Sequence, residues 1–184
     1  MGLFSYHHGI LFVRYSINTS NFAAILGGND VEIIIVGQAA QVIRPDVRVV
    51  FGAGTRLKIA AELCRLNLSR ALILATPQQG EAALEMAEHL GELAVGIFCK
   101  AAMHTPVDVT EAAMIHVAET AADCVVAIGG GSTTGLGKAI AFRTELTQIV
   151  IPTTYAGSEC TPILGQTENG VNRILSMCIT DPSI

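Results

Sequence analysis

Tryptophan is absent from this chain of 184 residues, aromatic residues make up 5% and charged residues 15%, and no stretch is rich in lysine or arginine. With a formal net charge of −5, the chain lacks the basic footprint that neutralises a phosphate backbone, so nucleic acid is not an expected partner. Cysteine spacing excludes more. Cys64, Cys99, Cys124, Cys160 and Cys178 are odd in number, scattered and never in a C-x-x-C spacing. Three sit in or beside apolar runs, which suits buried free thiols in a reducing compartment better than a disulfide framework.

Long uninterrupted apolar runs are lacking too. "FAAILGGNDVEIIIVGQAAQVI" is broken by Asn29, Asp30 and Glu32, short of the about 18 residues that a membrane helix needs. "MGLFSYHH" has no basic segment of the kind that precedes the apolar core of a signal peptide, and Tyr6 stands where myristoylation requires Ser or Thr. The expectation is a soluble cytoplasmic protein with no membrane partner.

What is present is an alternation. Hydrophobic residues reach 51%, enough for one full core. "VRVVF" reads as a strand ended by Gly52 and Gly54, and "TRLKIAAELCRL" as a helix with Leu57, Ala60, Ala61, Leu63 and Cys64 at helical spacing. "ALILAT" is a strand stopped by Pro77, and "EAALEMAEHLG" a helix stopped by Gly91. "LAVGIF" follows as a strand, and "PVDVTEAAMIHVAETAA" as a helix with Asp108 at its N-cap. "DCVVAI", "TGLGKAIAFRT" and "QIVIPT" give strand, helix, strand. Strands apolar throughout, alternating with helices, predict a Rossmann-like α/β fold: a parallel sheet with helices on both faces. Residues 1–45 fall outside this rhythm and are set aside as an atypical N-terminal extension; "VEIIIVGQAAQVI" could be a strand. Residues 46–184 are expected to form one dinucleotide-binding domain.

Ligands of such sheets bind beyond the carboxyl ends of the strands, which directs attention to "ATPQQ", "GGGST" and "PTTYAGSE". Gly129, Gly130 and Gly131 follow a buried strand and precede a helix, whose first turn exposes N–H groups and a partial positive charge. With the hydroxyls of Ser132, Thr133 and Thr134, the turn forms a candidate phosphate cradle. It is not a P-loop, because counting back from Gly137-Lys138 puts Ser132 at the first glycine and Ala139 after the lysine. Nor is Gly52-Ala53-Gly54 a Rossmann fingerprint, since Leu57 takes the place of the third glycine. In "PTTYAGSE", Thr153 and Thr154 supply hydroxyls at a neighbouring strand end.

"AIGGGSTTGLGKAIA" followed by "QIVIPTTYAGSE" resembles the nucleotide-binding half of the iron-containing alcohol dehydrogenase family. "ATPQQG", "AAMHTPV" and "IPTTYAGSECTPILGQTENGV" narrow the resemblance to its maleylacetate reductase branch, over residues 46–172. The resemblance implies a dehydroquinate synthase-like N-terminal domain and reduction of maleylacetate to 3-oxoadipate with NADH or NADPH, in the breakdown of aromatic compounds. It also implies a homodimer for the full-length family. A cofactor site of Thr76, Gly129, Gly130, Gly131, Ser132, Thr133, Thr153, Thr154, Tyr155 and Ser158 is carried over. Within it Gly130, Gly131 and Ser132 would bind the pyrophosphate, and Thr153 and Thr154 the nucleoside and nicotinamide side. Thr76 stands where many members have an Asp for the adenosine ribose, which admits NADPH beside NADH. Lys138 is assigned to the helix surface.

Three departures accompany the match. Residues 1–45 correspond to nothing in the family pattern, and Asn172-Arg173 replace an expected Lys. "SMCITDPSI" is where the family passes to an all-helical second domain holding one Asp and three His as metal ligands. That domain is expected to be absent, so no catalytic residue and no metal ligand is named. His7, His8, His89, His104 and His116 have no ligand spacing; His104, beyond a strand end, could face the cleft. A truncated reductase, a non-catalytic nucleotide-binding fragment and another iron-type alcohol dehydrogenase all stay open.

Overall fold

In the computed structural model, which describes residues 8–14, 32–36, 39–43, 47–154, 156–161 and 163–176, the four residues of strand β5 (Ala71–Leu74) are all buried. Alternation of side chains sends Ala71 and Ile73 into one apolar cluster and Leu72 and Leu74 into another, on opposite faces of the sheet. Strand β7 (Cys124–Gly129) divides the same way: Cys124, Val126 and Ile128 join the first cluster and Val125 the second. Helices α1 (Ile59–Arg65) and α2 (Gly80–Leu90) cover the first face through Ile59, Leu63, Ala83, Met86 and Leu90. Helices α3 (Val107–Thr120) and α4 (Gly131–Thr144) cover the second through Ala113, Val117, Leu136 and Ile140. Each fully buried Leu or Ile contributes roughly 1.5–3 kcal/mol, which explains why these strands carry no polar face.

The parallel part consists of β5, β7, β6 (Ala94–Phe98) and β8 (Thr147–Pro152), in the order β8-β7-β5-β6. The expected alternation is therefore present from residue 71 onward. The strand "VRVVF" departs from it. Here β4 (Val47–Ala53) pairs antiparallel with β1 (His8–Arg14), and β1 pairs antiparallel with β8. A further hairpin, β2 (Glu32–Val36) and β3 (Ala39–Ile43), continues the sheet beyond β4. The sheet is mixed: two and three residues join β2 to β3 and β3 to β4, too few for the crossover that a parallel pair needs, so these strands pair antiparallel.

Local chemistry accounts for the ends. Gly91 stops α2 with φ 56, a conformation that glycine adopts without strain. Asp108 lies in the first turn of α3 while Pro106 occupies the N-cap, so the acidic side chain meets the helix dipole and does not cap. Past α4, β9 (Ile163–Glu168) and β10 (Val171–Ser176) form a hairpin through Asn169 and Gly170, φ 51 and 77. Two left-handed residues in sequence make the tight turn whose twist matches the strands. Among the cysteines whose side chains are described, Cys124 is buried, Cys99 half-buried and Cys64 exposed. Cys64 departs from the expected burial because it lies on the outward side of α1. Cys178 and residues 1–7 lie outside the described residues.

Candidate functional site

Strand β7 ends at Gly129 with φ 151, and α4 begins at Gly131. Gly129 is required for two reasons. Its backbone angle strains any other residue, and a Cβ there would run into Gln79 Oε1 and Thr133 Oγ1. Gly130 is extended, φ −89, and has no left-handed requirement. What demands glycine there is space, because a Cβ would stand 2.6 Å from Thr154 Oγ1. No side chain caps α4, whose first amides have no acceptor within the helix. In that turn Thr133 Oγ1 is fully buried and has no hydrogen-bond partner among the described residues. Such an orphan costs about 1–3 kcal/mol unless a ligand or water meets it.

The neighbouring strand ends are tied to this turn. Thr153 N–H donates to Gly129 O at 3.0 Å, and Gln79 Nε2 donates to Thr153 Oγ1 at 2.8 Å. Thr76 Oγ1, just past β5, donates to Gln79 Oε1 at 3.3 Å. One glutamine thus joins the ends of β5 and β8 beside Gly129, the end of β7. Gln79 was not singled out in the sequence, and its only signal there is its place in "ATPQQG" beside a strand end. Thr153 and Thr154 are exposed, while Thr76, Ser132 and Ser158 are half-buried. Tyr155 lies outside the described residues.

Lys138 requires correction. It is 2% exposed, not a surface side chain. Its Nζ donates to Ile163 O at 2.8 Å, Ser158 Oγ at 3.3 Å and Thr161 Oγ1 at 3.4 Å. The reason is that α4 is enclosed, with the parallel sheet on one side and the 158–168 segment on another. Every residue from Thr133 to Ile140 is buried. Lys138 therefore fastens the loop carrying Ser158 to the helix carrying Ser132. A cleft of ≈ 330 Å³ opens alongside, lined by Gly131, Ser132, Ser158, His104, Thr105 and Gly165 among others. His104 and Thr105 enter it from the β6–α3 loop in left-handed conformations, φ 63 and 46. Such strain in non-glycine residues is held by surrounding contacts: Thr105 O accepts from Thr167 N at 3.4 Å, and its hydroxyl packs on Gly135.

At the opposite end of β7 from the site, the Cys124 thiol is pushed up from its ordinary pKa by burial first and by the charge and hydrogen bond of Asp123 second, which keeps it protonated. Among the described residues no group of three or more His, Cys, Asp or Glu is arranged to hold a metal ion. No described helix is long and apolar enough to cross a membrane. The arrangement is suited to an anionic ligand with hydroxyl groups. It combines a side-chain-free turn at a helix N-terminus, an orphan buried hydroxyl and exposed hydroxyls at adjacent strand ends. A dinucleotide fits these residues.

An α/β fold with this glycine turn at parallel strand ends defines a nucleotide-site class, and the family model of iron-containing alcohol dehydrogenase matches residues 46–183. The chain belongs to that family. Maleylacetate reductase of Rhizobium sp. (strain MTP-10005) is 62% identical over 128 residues, 70% of this chain and 36% of that protein. The crystal structure of maleylacetate reductase from Agrobacterium tumefaciens superposes with a TM-score of 0.67 at 62% identity, covering 68% of this chain and 36% of that one. An iron-containing alcohol dehydrogenase from Corynebacterium glutamicum gives 0.63 at 32% identity, over 68% and 35%. The chain spans about a third of the length of these relatives, 36% of the first.

Proposed function

We propose that this chain is the nicotinamide dinucleotide-binding part of a maleylacetate reductase, reducing maleylacetate to 3-oxoadipate with NADH or NADPH. The observation that carries the reading is the Gly129–Gly131 turn, closed against Thr154 and tied through Gln79 to Thr76 and Thr153. High identity to maleylacetate reductases across 128 residues supports the substrate. The bound cofactor supplies the hydride. Gly130, Gly131 and Ser132 take the pyrophosphate on the first turn of α4, and Thr133 offers its unpartnered hydroxyl beside them. Thr153 and Thr154 contact the nucleoside and nicotinamide side, with Tyr155 next to them in sequence. Ser158, held by Lys138, lines the cleft against which the nicotinamide end lies. Thr76 receives the adenosine ribose. The substrate is a small molecule, and the cytoplasm and a homodimer complete the proposal.

Titration with NADH, followed by fluorescence, tests the cofactor site. Gly130→Val should abolish saturable binding, since its branched side chain displaces the Thr154 hydroxyl and fills the cradle. A folded variant with unchanged affinity would remove the turn from the site. Maleylacetate-dependent NADH oxidation by a polypeptide carrying these residues at the relatives' full length, set against oxidation driven by simple aldehydes, tests the substrate.

A further inference from the structure

We propose that Lys138 is a positioning residue for the dinucleotide: by donating to Ser158 Oγ it commits the Ser158 proton to the cleft, where a phosphate oxygen of the bound cofactor accepts it. The phosphate concerned is the one nearer the nicotinamide. The inference rests on the reading of these strand ends as a nicotinamide dinucleotide site, and adds to that site a donor from outside the glycine turn.

The direction of the bond follows from the lysine. An ammonium group carries three N–H donors and no acceptor. Three oxygens stand within hydrogen-bond reach of this one: Ile163 O at 2.8 Å, Ser158 Oγ at 3.3 Å and Thr161 Oγ1 at 3.4 Å. Ser158 Oγ therefore accepts from Lys138 and cannot give its proton back. Thr161 differs, because its hydroxyl accepts from Nζ and donates to Ser158 O at 3.4 Å, so that proton is spent within the loop. Among the described residues none takes the proton of Ser158.

Ser158 is half-buried and lines the cleft together with Gly131 and Ser132 from the first turn of α4. Lys138 is 2% exposed on the same helix, so it acts on a ligand through Ser158. What the cleft offers at this point is a hydroxyl already bonded on its oxygen and ready to donate. A phosphate oxygen is the acceptor that suits the place. The first turn of α4 brings unpaired N–H groups and a partial positive charge to the same cleft, and a hydrogen bond to an ionised acceptor is stronger than one to a neutral group. Ser132 from the helix and Ser158 from the following loop then share one phosphate, and Lys138 keeps the second of them correctly turned.

Affinities of the 184-residue chain for NADH, by fluorescence titration, and for ADP, by displacement of NADH, provide the test; ADP ends at the phosphate concerned. Ser158→Ala should weaken both ligands by about tenfold, the loss of one hydrogen bond to a charged acceptor. Lys138→Met should weaken both as much, because the Ser158 proton then turns to the acceptors that the lysine leaves unmet. In a Ser158→Ala background Lys138→Met should cost little more, a coupling that a lysine serving only to fasten the loop does not produce. Hydrogen exchange at β5 and β7 verifies that each variant is folded, and Ser158→Ala by itself decides whether the hydroxyl serves the ligand. Losses that add in full overturn the positioning role of Lys138. A Ser158→Ala chain weakened for NADH but not for ADP puts the acceptor beyond the pyrophosphate and overturns the assignment to that phosphate. Unchanged affinity for both ligands overturns the inference while leaving the dinucleotide reading in place. A folded, unaltered chain that binds neither overturns that reading and this inference with it.

Discussion

Lys138 shows how much depends on where a single side chain ends. Its four-carbon stem crosses the enclosed side of α4 and delivers Nζ to Ile163 O, Ser158 Oγ and Thr161 Oγ1. An apolar residue of similar length keeps the packing and loses the donors. Lys138→Met is therefore expected to lower unfolding stability by about 1–3 kcal/mol, the cost of leaving partly buried acceptors unmet. Hydrogen exchange should rise at residues 158–164 while that of β5 and β7 stays unchanged. Urea titration and exchange mass spectrometry check the two halves of this expectation. Equal exchange in the 158–164 segment would mean that the lysine does not fasten that loop.

Among the elements, α4 is unusual in being buried along its length, and two glycines make this enclosure compatible with close neighbours. The Thr105 hydroxyl packs against Gly135 and the Gln148 amide against Gly137, in the space a Cβ would take. Gln148, 2% exposed near the start of β8, donates Nε2 to Thr134 O at 3.0 Å and so fixes the first turn of the helix from the sheet. A glycine in a helix interior ordinarily gains about 1 kcal/mol on replacement by alanine. Gly137→Ala should do the reverse and cost about 1–3 kcal/mol, because its Cβ would meet Gln148 Nε2 and stand 3.0 Å from Gln148 Cδ. Gly80→Ala is the control, since its nearest neighbour would be Cys99 Sγ at 3.9 Å, an ordinary contact. Thermal unfolding of both variants distinguishes close packing from simple helix propensity.

At the scale of the whole molecule, the β9–β10 hairpin exposes one apolar face. The register pairs Ile174 with Gly165 and Ser176 with Ile163, so Ile163 and Ile174 share the outward face, 51% and 77% exposed. Leu164 and Gln166 fill the inward face against α4, at 1% and 5%. Exposed isoleucines side by side on a hairpin favour association. The chain is expected to self-associate with rising concentration, and Ile174→Lys should shift sedimentation toward the monomer without changing NADH affinity. Identical sedimentation of the two proteins would show that this face takes no part.

Strands β5, β6, β7 and β8, the helices between them and the Gly129–Gly131 turn were legible in the sequence, because each is written in a local pattern: an apolar run, a helical period, a stop. The turn "ENGV" between β9 and β10 is equally legible, with an Asn-Gly pair suited to φ 51 and 77. The antiparallel placing of β4 beside β1 was not, since strand order depends on contacts between residues far apart in the chain. Burial of Lys138 was not legible either. A lysine in a helix carries no mark of which side of that helix another segment will cover. The same holds for Gln79. Its sequence context placed it near a strand end, but only the convergence of the β5, β7 and β8 ends shows that its amide bridges Thr76 and Thr153 beside Gly129. Local propensity and composition thus determined the elements and the residue types at their ends, while the hydrogen-bond partners of those ends and the enclosure of α4 arose when long-range packing brought them together.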